Sequence, residues 1–165
     1  MNVMEMENAG RDAWPALEEQ ELPFGVMRYS RGIDRRSNSL SLHPHIEFET
    51  GKLIDATEKF FAERDAAPIV RLVQQDGIAL NSIDDIDSAL ELRGYEKQAP
   101  SLTMSLDLSG AMETQANFKN GSIENLDAGS WLQAWYVLTS RNMEEIDVHK
   151  TLFEKSDLSH LFLLK

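Results

Sequence analysis

An amphipathic segment between two short apolar runs places the strongest constraint on the fold of this chain. Residues 52–64 repeat at helical spacing and put one set of side chains on a single face: Leu53, Ile54, Thr57, Phe60 and Phe61. Thr50 is the predicted N-cap. The runs at 40–42 and 69–73 have strand character, so the pattern predicts a helix packed on a sheet.

The residues before this unit predict further elements. Residues 1–10 are acidic and are expected to form a flexible lead-in. Asp12 is the predicted N-cap of a short helix that ends before Pro23 and carries a run of glutamates. A strand is predicted over 24–30, followed by a polar loop over 30–39, which we call the arginine loop.

The residues after this unit predict a further helix and a further strand. Ser82 and Asp85 resemble a capping box for a helix that ends at Gly94. Residues 101–108 alternate strictly between apolar and polar side chains, as in a strand with one buried face. The order of elements predicts an α/β (α+β) fold, a mixed sheet flanked by helices in three layers.

The remainder of the chain differs in character and divides the sequence into segments. Residues 11–109 form the predicted domain, and 110–123 form a linker or hairpin. A helical tail is predicted over 124–165, with Asp127 or Ser130 as the cap of its first helix and a second helix over 143–155. The apolar run at 161–164 either docks as an edge strand or belongs to a longer architecture.

Composition excludes several classes of function. The formal net charge is -12 and the pI is about 4.7, which argues against nucleic acid and anionic membranes as partners. The sequence has no cysteine, so disulfides and thiolate chemistry are excluded. The apolar runs are too short to span a membrane, and the acidic start lacks the features of a signal peptide. We therefore expect a cytoplasmic protein.

Arginine is concentrated in one stretch of this acidic chain, residues 25–40. Guanidinium groups near a glycine and an asparagine suit an anion or a carbonyl-rich ligand. The alternative is structural, with the arginines paired to nearby acids or bonded to loop carbonyls. The candidate ligand-binding residues are Arg28, Arg31, Arg35, Arg36 and Asn38.

The histidines and tryptophans are weaker signals. His43 and His45 flank a proline and lack an obvious third ligand, so no metal site is predicted. His149 and His160 are expected at the surface. The tryptophans could line a pocket, but their helical spacing favours core or interface anchors. The interface candidates are Trp131, Trp135, Leu161 and Phe162.

Six short segments occur in the order found in one protein family. They are 13–16 (AWPA), 25–30 (GVMRYS), 35–39 (RRSNS), 68–72 (PIVRL), 92–95 (LRGY) and 104–108 (MSLDL). With them the chain resembles the N-terminal half of a two-part GNAT-superfamily N-acetyltransferase. The resemblance implies acetyl-CoA as cofactor and acyl transfer to a small-molecule amine. It also implies that residues 124–165 begin a second lobe.

Two features of that family are not found in the sequence. The Arg/Gln-x-x-Gly-x-Gly/Ala turn, whose backbone amides hold the pyrophosphate, is expected only beyond Lys165, in a C-terminal lobe. Leu90 stands where the usual tyrosine acid is expected. Three hypotheses stay open: an active acetyltransferase, a non-catalytic domain for recognition, regulation or homodimer formation, and a fragment of a longer enzyme.

Overall fold

The structure is a computed structural model and describes residues 3–43, 48–73, 81–101, 103, 123–156 and 162–164. The helices are α1 (Val3–Ala13), α2 (Thr50–Ala62), α3 (Asn81–Leu92), α4 (Ala128–Leu138) and α5 (Ile146–Lys155), with a short 3-10 helix at Met143–Glu145. The strands are β1 (Glu18–Leu22), β2 (Gly25–Tyr29), β3 (Leu40–Leu42), β4 (Val70–Arg71), β5 (Ile123–Asn125) and β6 (Phe162–Leu164).

The central sheet has four strands in the order β1-β2-β3-β4. Strand β2 is antiparallel to both β1 and β3, whereas β3 and β4 are parallel. Parallel neighbours need a crossover connection, and α2 lies between them in the chain. The prediction of a mixed sheet combined with helices is confirmed, and the fold is a mixed α+β fold.

The core lies between the sheet and α2, as the helical periodicity predicts. The buried residues of α2 are the five of the predicted face. Met27 of β2 and Leu40 of β3 pack in the same cluster, and neither is exposed to solvent. Ile86 and Leu90 of α3 complete this cluster, so both helices contribute to one core with the sheet. A side-chain cap from Thr50 is not observed, because α2 begins at Thr50 and Glu49 occupies the cap position.

Helix α3 ends just before Gly94, the glycine that was predicted to terminate it. Gly94 has a φ of 84°, in the left-handed region that a helix-ending glycine adopts readily. The preceding Arg93 reaches back to α2, where its guanidinium lies 2.7 Å from Asp55 and 3.1 Å from Glu58. The ion pairs connect the exposed sides of the two helices.

The N-terminal predictions are wrong in two respects. Most of the expected lead-in is helix α1, and the helix expected from Asp12 onward is replaced by strand β1. The acidic run is stable as a strand because it forms the edge of the sheet and meets cations there. Glu18 lies 2.9 Å from Arg64, and Glu19 lies 2.9 Å from Arg28.

The tail contains the predicted helices. The side chain of Asp127 accepts a hydrogen bond from the backbone N–H of Ser130, so Asp127 is the cap of α4. Strand β6 pairs antiparallel with β5, which confirms that the terminal apolar run docks as a strand, although outside the central sheet. The strand predicted over 101–108 and the linker predicted over 110–123 lie largely outside the described residues.

Candidate functional site

The arginine loop is organised around the side chain of Asn38. The side-chain oxygen accepts hydrogen bonds from the backbone N–H groups of Ser30, at 2.7 Å, and Gly32, at 2.8 Å. Its amide nitrogen donates to the backbone carbonyl of Asp34 at 2.6 Å. Asn38 is also buried. A buried amide with three such contacts shapes the loop and has little capacity left for a ligand.

The carboxylate of Asp34 also holds the loop in its conformation. One oxygen accepts from the backbone N–H of Ser37 at 2.8 Å, and the other accepts from the Ser37 hydroxyl at 2.7 Å. That second oxygen also accepts from the indole N–H of Trp14 at 3.2 Å. Arg31 and Gly32 turn the chain with φ values of 55° and 75°. The single acid of the loop is therefore used within the fold.

Arg28 is part of the scaffold. It lies in β2 and is 3% exposed. Its Nε donates to Glu19 at 2.9 Å, and its other nitrogens donate to the backbone carbonyls of Arg36, at 2.8 Å, and of Trp14. Arg28 therefore has a structural role and not a ligand-binding one, because its guanidinium joins three segments of the chain.

The arginines within the loop itself have a different environment from that of Arg28. Arg31, Arg35 and Arg36 are exposed. Among the residues that the structure describes, none of the three forms an ion pair with an acid. The candidate set is thus divided: Arg28 and Asn38 build the loop, while three guanidinium groups are presented to solvent from it.

The helical tail packs beside the loop through aromatic side chains. The ring of Trp14 lies edge-on to Trp135 at 6.1 Å and to Phe153 at 5.7 Å between centroids. Trp131 and Trp135 stack at 5.6 Å. Both predicted interface tryptophans are half-buried in this intrachain cluster. Lys155 adds a polar contact, because its ammonium donates to the carbonyls of Ala16 and Leu17 at 3.0 and 2.9 Å.

His149 was expected at the surface, and that prediction is wrong. The residue lies in α5 with no exposed area. Its Nδ1 lies 2.5 Å from the hydroxyl oxygen of Tyr136, and its Nε2 lies 3.9 Å from a carboxylate oxygen of Asp34. The signal in the sequence was helical spacing, since Ile146, His149 and Phe153 recur at i, i+3 and i+7.

Burial determines the acid–base properties of this pair. It lowers the pKa of His149, although the nearby Asp34 carboxylate acts in the opposite direction. Burial also raises the pKa of the Tyr136 hydroxyl. Both groups are thus kept uncharged near neutral pH. Because they are sealed from solvent, they cannot exchange protons directly with a ligand on the exposed side of the loop.

Among the residues that the structure describes, no group of three or more histidine, aspartate or glutamate side chains is arranged to hold a metal ion. His43 lies 3.7 Å from Glu21, and His45 is outside the described residues. No described helix combines the length and apolar character needed to cross a bilayer.

Comparisons with models of protein families, with curated proteins and with solved structures gave no match to this chain.

Proposed function

We propose that this chain is a GNAT-like N-acetyltransferase domain and that its arginine loop binds the phosphate groups of acetyl-CoA or a similar anionic acyl carrier. The observation that carries the proposal is the exposure of Arg31, Arg35 and Arg36 on one loop without acid partners among the described residues. Phosphate oxygens are strong acceptors for guanidinium N–H groups, which bind them through paired, charge-assisted hydrogen bonds.

The construction of the loop supports binding. Asn38 and Asp34 fix its backbone through buried and half-buried hydrogen bonds. A fixed loop loses little conformational entropy when a ligand arrives, so more of the contact energy appears as affinity. The formal net charge of -12 also disfavours anions elsewhere on the surface, which makes this loop the favoured place for one.

If the domain is active, it transfers the acyl group directly to an amine, by positioning the reactants and polarising the carbonyl. The acids of β1 are poor candidates for holding that amine, because each already pairs with an arginine: Glu18 with Arg64, Glu19 with Arg28 and Glu21 with Arg11. The acceptor amine is therefore expected to bind outside β1.

A second candidate function is recognition without catalysis. It is favoured by the burial of Tyr136 and of His149, whose imidazole lies 3.9 Å from Asp34 of the loop. In this case the domain binds the acyl carrier, or a partner with a similar anionic group, and transfers nothing. Homodimer formation belongs to the same alternative.

Acetyl-CoA binding tests the proposal through the variant R35A/R36A. Calorimetry should show binding to the unaltered protein and at least a tenfold weaker affinity in the variant, since a hydrogen bond to a charged group contributes about 1.5–3 kcal/mol. At a hundredfold excess over Kd, acetyl-CoA should also stabilise the unaltered protein by about 2.7 kcal/mol in a thermal unfolding assay.

Arg93→Ala is the matched control, because Arg93 is exposed and pairs with α2 away from the loop. It removes one positive charge of the same kind, against two in R35A/R36A, and should leave the affinity unchanged. Lack of binding at millimolar acetyl-CoA contradicts the proposal, and equal affinity in R35A/R36A excludes the loop as the site. Release of the CoA thiol in the presence of amines then separates the catalytic function from recognition.

A further inference from the structure

Asp34 is part of the arginine loop and also lies close to His149 of the helical tail. We propose that Asp34, Tyr136 and His149 form a proton-sensitive latch. The latch holds the α4–α5 helix pair against the arginine loop while His149 is neutral and loosens when His149 takes up a proton. This inference concerns the conformation of the protein and does not depend on its ligand or activity.

The geometry assigns the hydrogen positions of neutral His149. Its Nε2 is buried and has no hydrogen-bond partner among the described residues. The nearby charged acceptor is Asp34, at 3.9 Å, so a hydrogen on Nε2 is attracted and a lone pair there is repelled. With the hydrogen on Nε2, Nδ1 accepts the hydroxyl hydrogen of Tyr136 across 2.5 Å.

Protonation breaks this arrangement. A charged imidazole carries hydrogens on both nitrogens, so Nδ1 stops accepting and becomes a donor. The hydroxyl hydrogen of Tyr136 then needs another acceptor, in a place where the tyrosine is 1% exposed. The positive charge must also reside on a ring with no exposed area. Both effects favour a state in which the helix pair moves away and water reaches the ring.

The surrounding charges act in both directions. Asp34 from the loop and Glu145 from the 3-10 helix favour the charged ring, whereas Arg141 opposes it. Tyr136 of α4 is uncharged, and the rings of Trp14 and Trp135 flank the imidazole at 5.8 and 5.1 Å. The close Asp34 oxygen already accepts hydrogen bonds from Ser37 and Trp14. The attraction of Asp34 for a charged imidazole is therefore reduced. Burial remains the largest influence, and it lowers the pKa of His149.

The direction of the pH dependence follows from this lowered pKa. Histidine in an open chain has a pKa of about 6.5, and the docked state has a lower value. Between the two values the undocked state binds the proton more readily. Docking is therefore strongest above the open-chain value, weakens as the pH falls through it, and stops weakening below the docked value.

Hydrogen exchange at pH 7.5 and pH 5.5 tests the latch in the full chain, after correction for intrinsic rates. Protection of the α5 amides should fall on acidification by at most about tenfold per pH unit, the limit for one proton. Protection of the α2 amides should stay constant. His149→Gln should remove the dependence, since glutamine can accept from Tyr136 without titrating. His43→Gln is the control and should behave like the unaltered protein.

Several outcomes overturn the inference. They are unchanged α5 protection in the unaltered protein, an equal loss of protection in α2, and an undiminished pH dependence in His149→Gln. If His149→Gln fails to fold, NMR titration of the unaltered protein decides the question. The ring of His149 should titrate below the open-chain value of about 6.5, and a pKa for His149 at or above that value contradicts the latch.

Discussion

Replacing Arg28 with methionine is expected to lower the free energy of unfolding by about 3 kcal/mol, because charge-assisted hydrogen bonds to two carbonyls are lost. The side chain is 3% exposed, and it joins β2 to Glu19, to the carbonyl of Arg36 and to the carbonyl of Trp14. Methionine fills similar space but leaves those acceptors without donors. Urea unfolding followed by circular dichroism measures the effect.

The control for Arg28→Met is Arg35→Met, which makes the same chemical change on the exposed side of the loop. Arg35 forms no ion pair with a described acid, so its replacement should change the stability by less than about 0.5 kcal/mol. Equal stabilities for the two variants would show that Arg28 does not hold the loop to the sheet.

Gly25→Ala is expected to destabilise the protein by about 3 kcal/mol, because the Cβ of alanine would clash with the backbone of β3. A Cβ at this position lies 2.4 Å from the carbonyl oxygen of Ser41 and 3.0 Å from the Cα of Leu42. Gly25 pairs with Leu42 across β2 and β3, so these atoms can move apart only if the strands separate. The loss is measurable as a lower urea midpoint.

Gly51→Ala provides a control of opposite sign. Gly51 lies in the first turn of α2, and a Cβ there meets no atom within 4 Å. Alanine should raise the stability by up to about 1 kcal/mol, because it loses less backbone entropy in a helix. If both variants are destabilised alike, the close approach of β2 and β3 is not the cause at Gly25.

Helix α2 shows what local pattern can predict. Its buried face was predictable because an amphipathic helix places every third or fourth residue on one side, whatever its neighbours are. The end of α3 at Gly94 was predictable for a similar local reason, the left-handed backbone that glycine adopts easily.

Strand β1 shows where local pattern fails. A helix capped by Asp12 and ending before Pro23 was predicted here, yet the segment is an edge strand paired with β2. Two of its acids are neutralised by Arg28 and by Arg64, which follows α2 much later in the chain. Such partners are distant in sequence, and only folding brings them together.

The candidate site divides in the same way. The sequence by itself determined that arginines would gather on a loop between two strands, because composition and turn residues are local properties. Only the tertiary structure decided that Arg28 is buried while Arg35 and Arg36 face solvent. It also decided that His149 meets Asp34 across 3.9 Å. Which charged side chains pair, and which arginine of the stretch is buried, depends on distant segments coming into contact, and the spacing of these residues along the chain does not encode it.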